Sequence, residues 1–396
     1  MKLHVLFLFC LSSVSLQAAD SPSLVFGVFG RPQDKPFLVK TAQDKGLTAY
    51  YLNEKSVLDE SSQTIKNVLT LKDGELIELP EAPMPQVVFD FGFYAKASQE
   101  KKNQALTLKQ KLKSAGVHFL MEESWVRLLR NKMLFSIVMG KNDLPHPETR
   151  EGKKANISAL LDQGKQVYLK PILGAQGYGI LIVTPEPKMY RLKYKIKKEE
   201  KWRTREFLFP NKKELFKGIA QAKKELHMED KRYLAQEGYL FAEAESKQTY
   251  YRVNTQRDGA DELVVSGSVA KVGGNLAQGG LAHTVFEVLE NLFEPEKIHS
   301  IEKAVEAMAL ATHRAIEKEV GSSICELGMD LGVTKDGQVV IIEANNKPGA
   351  LFYDSLKEVQ TRWPEERRNK AFDAEKKRDS ILVDYIKGPI FHGLSH

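Results

Sequence analysis

The strongest constraint on this chain is an alternation of short apolar runs with longer mixed runs, beginning at Leu24. Leu24–Phe29 (LVFGVF) predicts a short buried strand, Pro36–Lys45 a helix, and Thr48–Leu52 a second strand. Val87–Phe91 (VVFDF) predicts a third strand, and Ser98–Ser114 a polar helix. Gly116 stops that helix, and Val117–Met121 resumes as strand. Strands alternating with helices imply crossover connections, so the expected class is α/β, with a parallel sheet covered by helices on both faces. This first domain closes near Arg130, and Glu54–Pro85 carries no pattern that assigns it. At 396 residues the chain exceeds one compact core and implies two or three packed units.

Composition narrows the class. With 42% hydrophobic and 28% charged residues, a disordered, collagen-like or polytopic membrane chain is excluded. A net charge of +6, from 58 basic and 52 acidic residues, is a mild bias toward anionic ligands and no nucleic-acid signature. Cys10 and Cys325 are the two cysteines, too few for a disulfide framework or a cysteine zinc site. Lys2, the short apolar run Val5–Leu11 and the small residues Ser12, Ser13, Ser15, Ala18 and Ala19 have the order of a secretory signal. Residues 1–18 are therefore expected to be removed and the mature protein exported, periplasmic or secreted. The alternative is a buried first strand of a cytoplasmic protein. No later stretch approaches the ~18 apolar residues of a membrane-spanning helix.

Past Arg130, Asn131–Met139 predicts a helix that Pro145 and Pro147 end. Within the basic stretch Lys188–Arg205, Leu192, Tyr194 and Ile196 alternate with Lys193, Lys195 and Lys197, which predicts a strand with one wet basic face. A solvated edge strand is the expected role, and a nucleic-acid or phosphate contact is the minority alternative. Lys212–Leu226 and Ile298–Glu319 predict helices, and Tyr250–Val253 and Val264–Val269 strands. Residues 356–396 form a charged tail, with Trp363–Lys377 expected to be helical.

Two segments carry chemistry. In VYLKPILGAQGYG, a strand ends at Lys170 and glycines follow at 174, 177 and 179. Glycines let backbone N–H groups approach an anion, and the lysine adds a point charge to the same phosphates. In MDLGVTKDGQVVIIEANNKPG, Asp336-Gly337 is a hairpin turn signal between strands bearing Asp330 and Glu343. Glu343 and Asn345 are two apart and share a face. Two carboxylates and an amide form an oxygen set suited to magnesium or manganese, above all when phosphate completes the shell. Glu326 shares a face with Asp330 and is left outside the metal set. His146, His283 and His313 show no ligand spacing. A phosphate cradle with a divalent-metal set describes a nucleoside triphosphate site.

In order and spacing these segments resemble the ATP-grasp superfamily, most closely its spore-coat-associated (YheC/YheD-like) branch. More distantly they are similar to glutamate-adding and glutathione-synthase-like ligases. The cues are GSVAKVGGNLAQGG, ELGMDLG and EANNKPG. The resemblance implies a pre-ATP-grasp α/β domain over 19–130, and an ATP-grasp domain over 131–355 whose two α+β subdomains clamp ATP. It implies nucleotide contacts from Lys132, Lys170, Gly174, Gln176, Gly177 and Gly179, an adenine hinge at Gln236 and Glu237, and a catalytic pair in Arg252 and Lys170. Asp330, Glu343 and Asn345 would hold Mg2+ or Mn2+, and Lys271, Asn275, Gly279 and Gly280 would lie on the substrate side. Two positions depart from the pattern: Tyr250 replaces a common acid, and Lys271 replaces an arginine. The implied activity is an ADP-forming carboxylate–amine ligase acting through an acylphosphate on small-molecule or peptide substrates. The alternative is an exported nucleotide-binding or envelope-associated structural protein without turnover.

Overall fold

The structure, a computed structural model, describes residues 24–30, 32, 37–91, 98–121, 123–174, 177–198, 201–244, 247–273, 281–346 and 365–394. The expected signal segment and the predicted site residues Gln176, Asn275, Gly279 and Gly280 lie outside them.

Three sheets follow one another along the chain. The first is built from β1 (Val25–Phe29), α1 (Leu38–Asp44), β2 (Thr48–Leu52), β3 (Val57–Asp59), β4 (Thr64–Lys72), β5 (Glu75–Pro83), β6 (Val87–Asp90), α2 (Gln99–Ser114) and β7 (His118–Phe119). Its order is β3-β4-β2-β1-β6-β7, with β5 on β4. The strands β2, β1, β6 and β7 are parallel, as the alternation predicts. Antiparallel β3, β4 and β5 make the whole sheet mixed, which corrects the expected parallel sheet. They fill the unassigned stretch Glu54–Pro85. Most of β5 is solvent-facing, so no apolar period marked it. The Asp73-Gly74 turn joining β4 to β5 has φ of 53° and 83°, a conformation that aspartate and glycine tolerate.

Helices α3 (Glu123–Arg130) and α4 (Lys132–Lys141) lead into the second sheet. Asn131 caps α4 by accepting hydrogen bonds from the Met133 and Leu134 amides at 3.1 and 3.2 Å. Next come β8 (Thr149–Glu151), α5 (Lys154–Asp162), β9 (Val167–Pro171), β10 (Leu181–Glu186), β11 (Met189–Lys198), β12 (Lys201–Phe209), α6 (Lys212–Glu225) and β13 (Tyr233–Glu237). They form an antiparallel sheet in the order β12-β11-β10-β9-β13-β8. Leu169, Leu181, Val183 and Leu192 are buried with Leu160 of α5 and Leu215 of α6 in one core. The basic stretch Lys188–Arg205 is thus parts of two paired strands, not one. Leu192 and Tyr194 are buried as the alternation predicts.

The third sheet comprises β14 (Glu243–Ala244), β15 (Lys247–Arg257), β16 (Leu263–Val272), β17 (Leu281–His283), α7 (Val285–Glu290), α8 (Pro295–Val320), β18 (Glu326–Val333) and β19 (Val339–Asn345). Its order is β17-β16-β15-β18-β19, with β14 on β15. Helix α8 starts with proline at its first turn and ends at Gly321 in the left-handed region, φ 71°. Its Val305, Ala309 and Ile316 pack with Tyr251, Val253, Leu327 and Met329. That core is continuous with Phe26, Val28 and Phe89 of the first sheet. The C-terminal helix runs from Glu365 to Tyr385, eight residues beyond the expected Lys377. It packs on α1, β15 and β16.

Candidate functional site

All eight residues of β18 are buried, and Asp330 sits among them at 2% exposure. Strand register places Arg252 of β15 opposite Asp330, and Asp330 opposite Glu343 of β19. Three charged side chains thus form one row across three strands. A register shift follows at once: Leu331 pairs with Ile341, so Ile342 is the extra residue on β19. Bulges of this kind re-aim side chains beside active sites. Arg252 grips both oxygens of Asp330, with Nη2 donating to Oδ2 at 3.0 Å and Nε to Oδ1. Asn345 Nδ2 donates to the same Oδ2 at 3.2 Å.

The second sheet supplies the lysines. Lys170, on β9, donates to Gln236 Oε1 at 2.5 Å, and Gln236 Nε2 donates to Thr149 Oγ1 at 3.0 Å. Lys132 opens α4 and donates from Nζ to the Gly174 carbonyl at 2.6 Å. Its amide donates to the Ile172 carbonyl at 3.1 Å, which ties the helix start to the glycine turn. Gly177 and Gly179 have φ of 68° and 78°. A Cβ on Gly179 would also meet the Pro171 ring at 3.0 Å, so both freedom and space call for glycine there.

Electrostatics joins the two sheets. Burial pushes Lys170 down to about 8, and Glu343 opposes that shift. Lys132 is lowered by burial in the same way, again against Glu343. Burial disfavours charge on Glu343, yet Lys132 and Lys170 outweigh it and hold the acid below its ordinary value. Asp330 is pushed up by burial to about 7, although Arg252 pulls the other way. Three half-buried cations therefore face two acids, of which Asp330 is buried and Glu343 half-buried. The surplus of positive charge and the two depressed lysines fit a polyphosphate. The raised acid beside a second carboxylate fits a divalent cation, which relieves the repulsion between them. Among the described residues no group of three His, Cys, Asp or Glu side chains is placed to hold a metal ion.

Not every predicted residue joins this cluster. Glu237 turns away from Lys170 to an ion pair with Lys165 at 3.2 Å. It borders a cavity of about 460 Å³ lined by Met133, Ser136, His146, Thr149 and Tyr239. Lys271 lies opposite Tyr250, one row from Arg252. Tyr250 donates to Gln248 Oε1 at 2.6 Å and packs edge-on against Phe241 at 5.8 Å.

A sequence profile of YheC/D-like ATP-grasp proteins matches residues 140–368, more than half of the 396. The chain belongs to the YheC/D-like ATP-grasp family. Two curated relatives are endospore coat-associated proteins of Bacillus subtilis (strain 168). YheD is 26% identical over 203 residues, 50% of this chain and 42% of YheD, so the match spans less than half of that relative. YheC is 25% identical over 279 residues, 68% of this chain and 72% of YheC. Among solved structures, D-cycloserine synthetase DcsG superposes with a TM-score of 0.49 at 13% identity, over 90% of this chain and 99% of DcsG.

Within this YheC/D-like chain, three site features escape a motif search. Thr149 anchors Gln236, and nothing in its sequence context marks it. Asn254 follows Arg252 by two on β15 and is fully buried, with neither amide atom hydrogen-bonded among the described residues. The polar alternation Arg252, Asn254, Gln256 was its signal. Arg378 of the C-terminal helix holds Glu326, the acid already noted on the face of Asp330, and so links the tail to that strand.

Proposed function

We propose that this family member binds Mg·ATP and joins a carboxylate to an amine, releasing ADP and phosphate. The observation that carries this reading is the convergence of Lys132 and Lys170 from one sheet side with Arg252, Asp330 and Glu343 from the other. Lys132 and Lys170 would neutralise the β- and γ-phosphates, and Gly174, Gly177 and Gly179 would let backbone approach them. Asp330, Glu343 and Asn345 would hold magnesium or manganese, which supplies charge neutralisation between the phosphates when bound. The γ-phosphoryl group passes to a carboxylate oxygen and ADP leaves. The amine then attacks the acyl carbon, phosphate leaves, and the amine gives up a proton. Arg252 would hold the acyl-phosphate oxygens, while its grip on Asp330 fixes the guanidinium plane. Burial lowers the Lys170 pKa to about 8, and Glu343 across the cleft supports its charged form.

Tyr250 favours a second reading, nucleotide binding without turnover. It puts a tyrosine packed on Phe241 where similar ligases commonly carry an acid. Export through residues 1–18 belongs to the proposal as well, and fractionation of a C-terminally tagged protein tests it.

Calorimetric titration with Mg·ATP decides the nucleotide claim. Binding by the wild type, lost in the Glu343→Ala, Asn345→Ala double variant, is expected. No binding by the wild type would refute the site. ADP release against a panel of carboxylates and amines then separates the two readings.

A further inference from the structure

The row Lys193, Lys195 and Lys197 of the basic stretch lies on the opposite face from Arg203 and Arg205, which pair with Ile196 and Tyr194 on the helix-covered side. Side chains alternate across a strand, and directly paired residues of an antiparallel sheet share a face. Leu169, Leu181, Val183 and Leu192 fill the helix-covered face. Lys170 and Tyr168 therefore look out on the other face, and Lys170 acts across the cleft on Glu343 of the third sheet. Register carries that face outward. Tyr168 pairs with Ile182, Ile182 with Lys193, and Lys193 with Glu206. In the same way Thr184 pairs with Arg191, Lys195 with Thr204, and Lys197 with Trp202.

The surface so formed starts at the nucleotide lysine and ends at the sheet edge. Lys193, Lys195 and Lys197 are exposed along it. Arg191 is held between Glu186 and Glu206. Beside the glycine turn Trp202, 41% exposed, stands 6.2 Å from the Tyr178 ring, whose hydroxyl donates to the Leu226 carbonyl at 3.1 Å. Their planes are tilted by 59°, so the pair is not a parallel platform for base stacking.

We propose that this face docks an acidic peptide segment, a run of Asp or Glu side chains, and leads it toward Arg252. Charge complementarity and continuity with Lys170 select that occupant. Its side-chain carboxylates are also the chemical group that the proposed ligase would activate, so the inference rests on that reading for its catalytic meaning.

The test is fluorescence anisotropy with labelled deca-glutamate, deca-lysine and a single-stranded oligonucleotide of matching charge, at low and physiological salt. Wild type is compared with Lys193→Glu, Lys195→Glu and with the milder Lys193→Gln, Lys195→Gln. Deca-glutamate is expected to bind and deca-lysine not. The reversal should weaken binding by about tenfold or more and the neutral pair by less. Mg·ATP affinity, measured separately, should stay unchanged in both variants. Absence of deca-glutamate binding, equal binding by the reversal variant, or tighter binding of the oligonucleotide would each overturn the proposal. Failure of Mg·ATP binding in the wild type would instead strike the nucleotide site, because the anisotropy reads the docking face without nucleotide.

Discussion

Replacing Arg378 by leucine tests whether the C-terminal helix is part of the catalytic unit. Arg378 is fully buried. Its Nε donates to Glu326 Oε1, and its Nη1 donates to Glu375 Oε2 at 3.2 Å. Gln256 Nε2 also donates to Glu326 Oε1 at 3.2 Å. Burial alone would discourage the guanidinium charge, but Glu326 and Glu375 raise its pKa above the ordinary arginine value. Glu326 is itself 1% exposed and lies on β18, on the face of Asp330. Removing the arginine strands that acid without its cation, at a cost of about 3–5 kcal/mol. Such a loss is a large part of the ~5–15 kcal/mol that holds a typical domain. Urea unfolding of wild type, Arg378→Leu, Glu326→Leu and the double variant forms a cycle. The double change should cost less than the sum of the two single changes, since it removes both members of the Arg378–Glu326 pair together and leaves only the Arg378–Glu375 contact unmade. Mg·ATP affinity should fall in Arg378→Leu, because the pair fixes the strand that carries Asp330. A cost for Arg378→Leu under about 1 kcal/mol, or strict additivity, would refute the reasoning.

Four further outcomes follow from the same structure. In Glu343→Gln, Lys170 loses the acid that supports its charge, so its pKa should fall further below about 8; lysine NMR titration reads this, and a rise would contradict it. Asn254→Leu removes a buried amide with no hydrogen-bond partner among the described residues and should raise stability by about 1–2 kcal/mol, seen as a higher melting temperature; a lower one would contradict it. Burial opposes the charge on Glu317, but bonds from His313, Arg257 and the Ile324 amide hold it down from 4.5 to about 2. Its stabilising contribution is complete above the unfolded value and disappears as pH falls through the folded one, so the deficit of Glu317→Gln should shrink on acidification from pH 5. A Cβ on Gly332 would lie 2.1 Å from the Phe241 ring, so Gly332→Ala should destabilise by about 1–3 kcal/mol in thermal unfolding, and Phe241→Leu should restore part of the loss.

What the sequence discloses depends on which solvent a side chain meets. Strands such as β1, β2 and β6 are buried almost throughout, and helix α8 keeps one apolar stripe, so their periods survive in the residue pattern. The chemistry is legible for a related reason. Lys170 and Glu343 stand at the ends of apolar strands, where a charge is out of keeping with its neighbours. Strand β5 has no such contrast, because one wall of it is water and the other a single partner strand, and the Asp73-Gly74 turn alone does not assign the strands on either side of it. The tail hides its role differently. Arg378 and Glu375 sit in a run of charges that looks solvated, and burial turns on a partner 52 residues away in the chain, Glu326. The basic strand is the most instructive case. Alternation shows that Lys193, Lys195 and Lys197 share a polar face, and that much is correct. Period alone cannot distinguish a face turned to bulk water from one turned across a cleft to another sheet. That distinction is carried by pairing register, through Ile182 and Tyr168 to Lys170, and register is a property of the fold. Composition assigned the charge of this surface, and only topology assigns its direction.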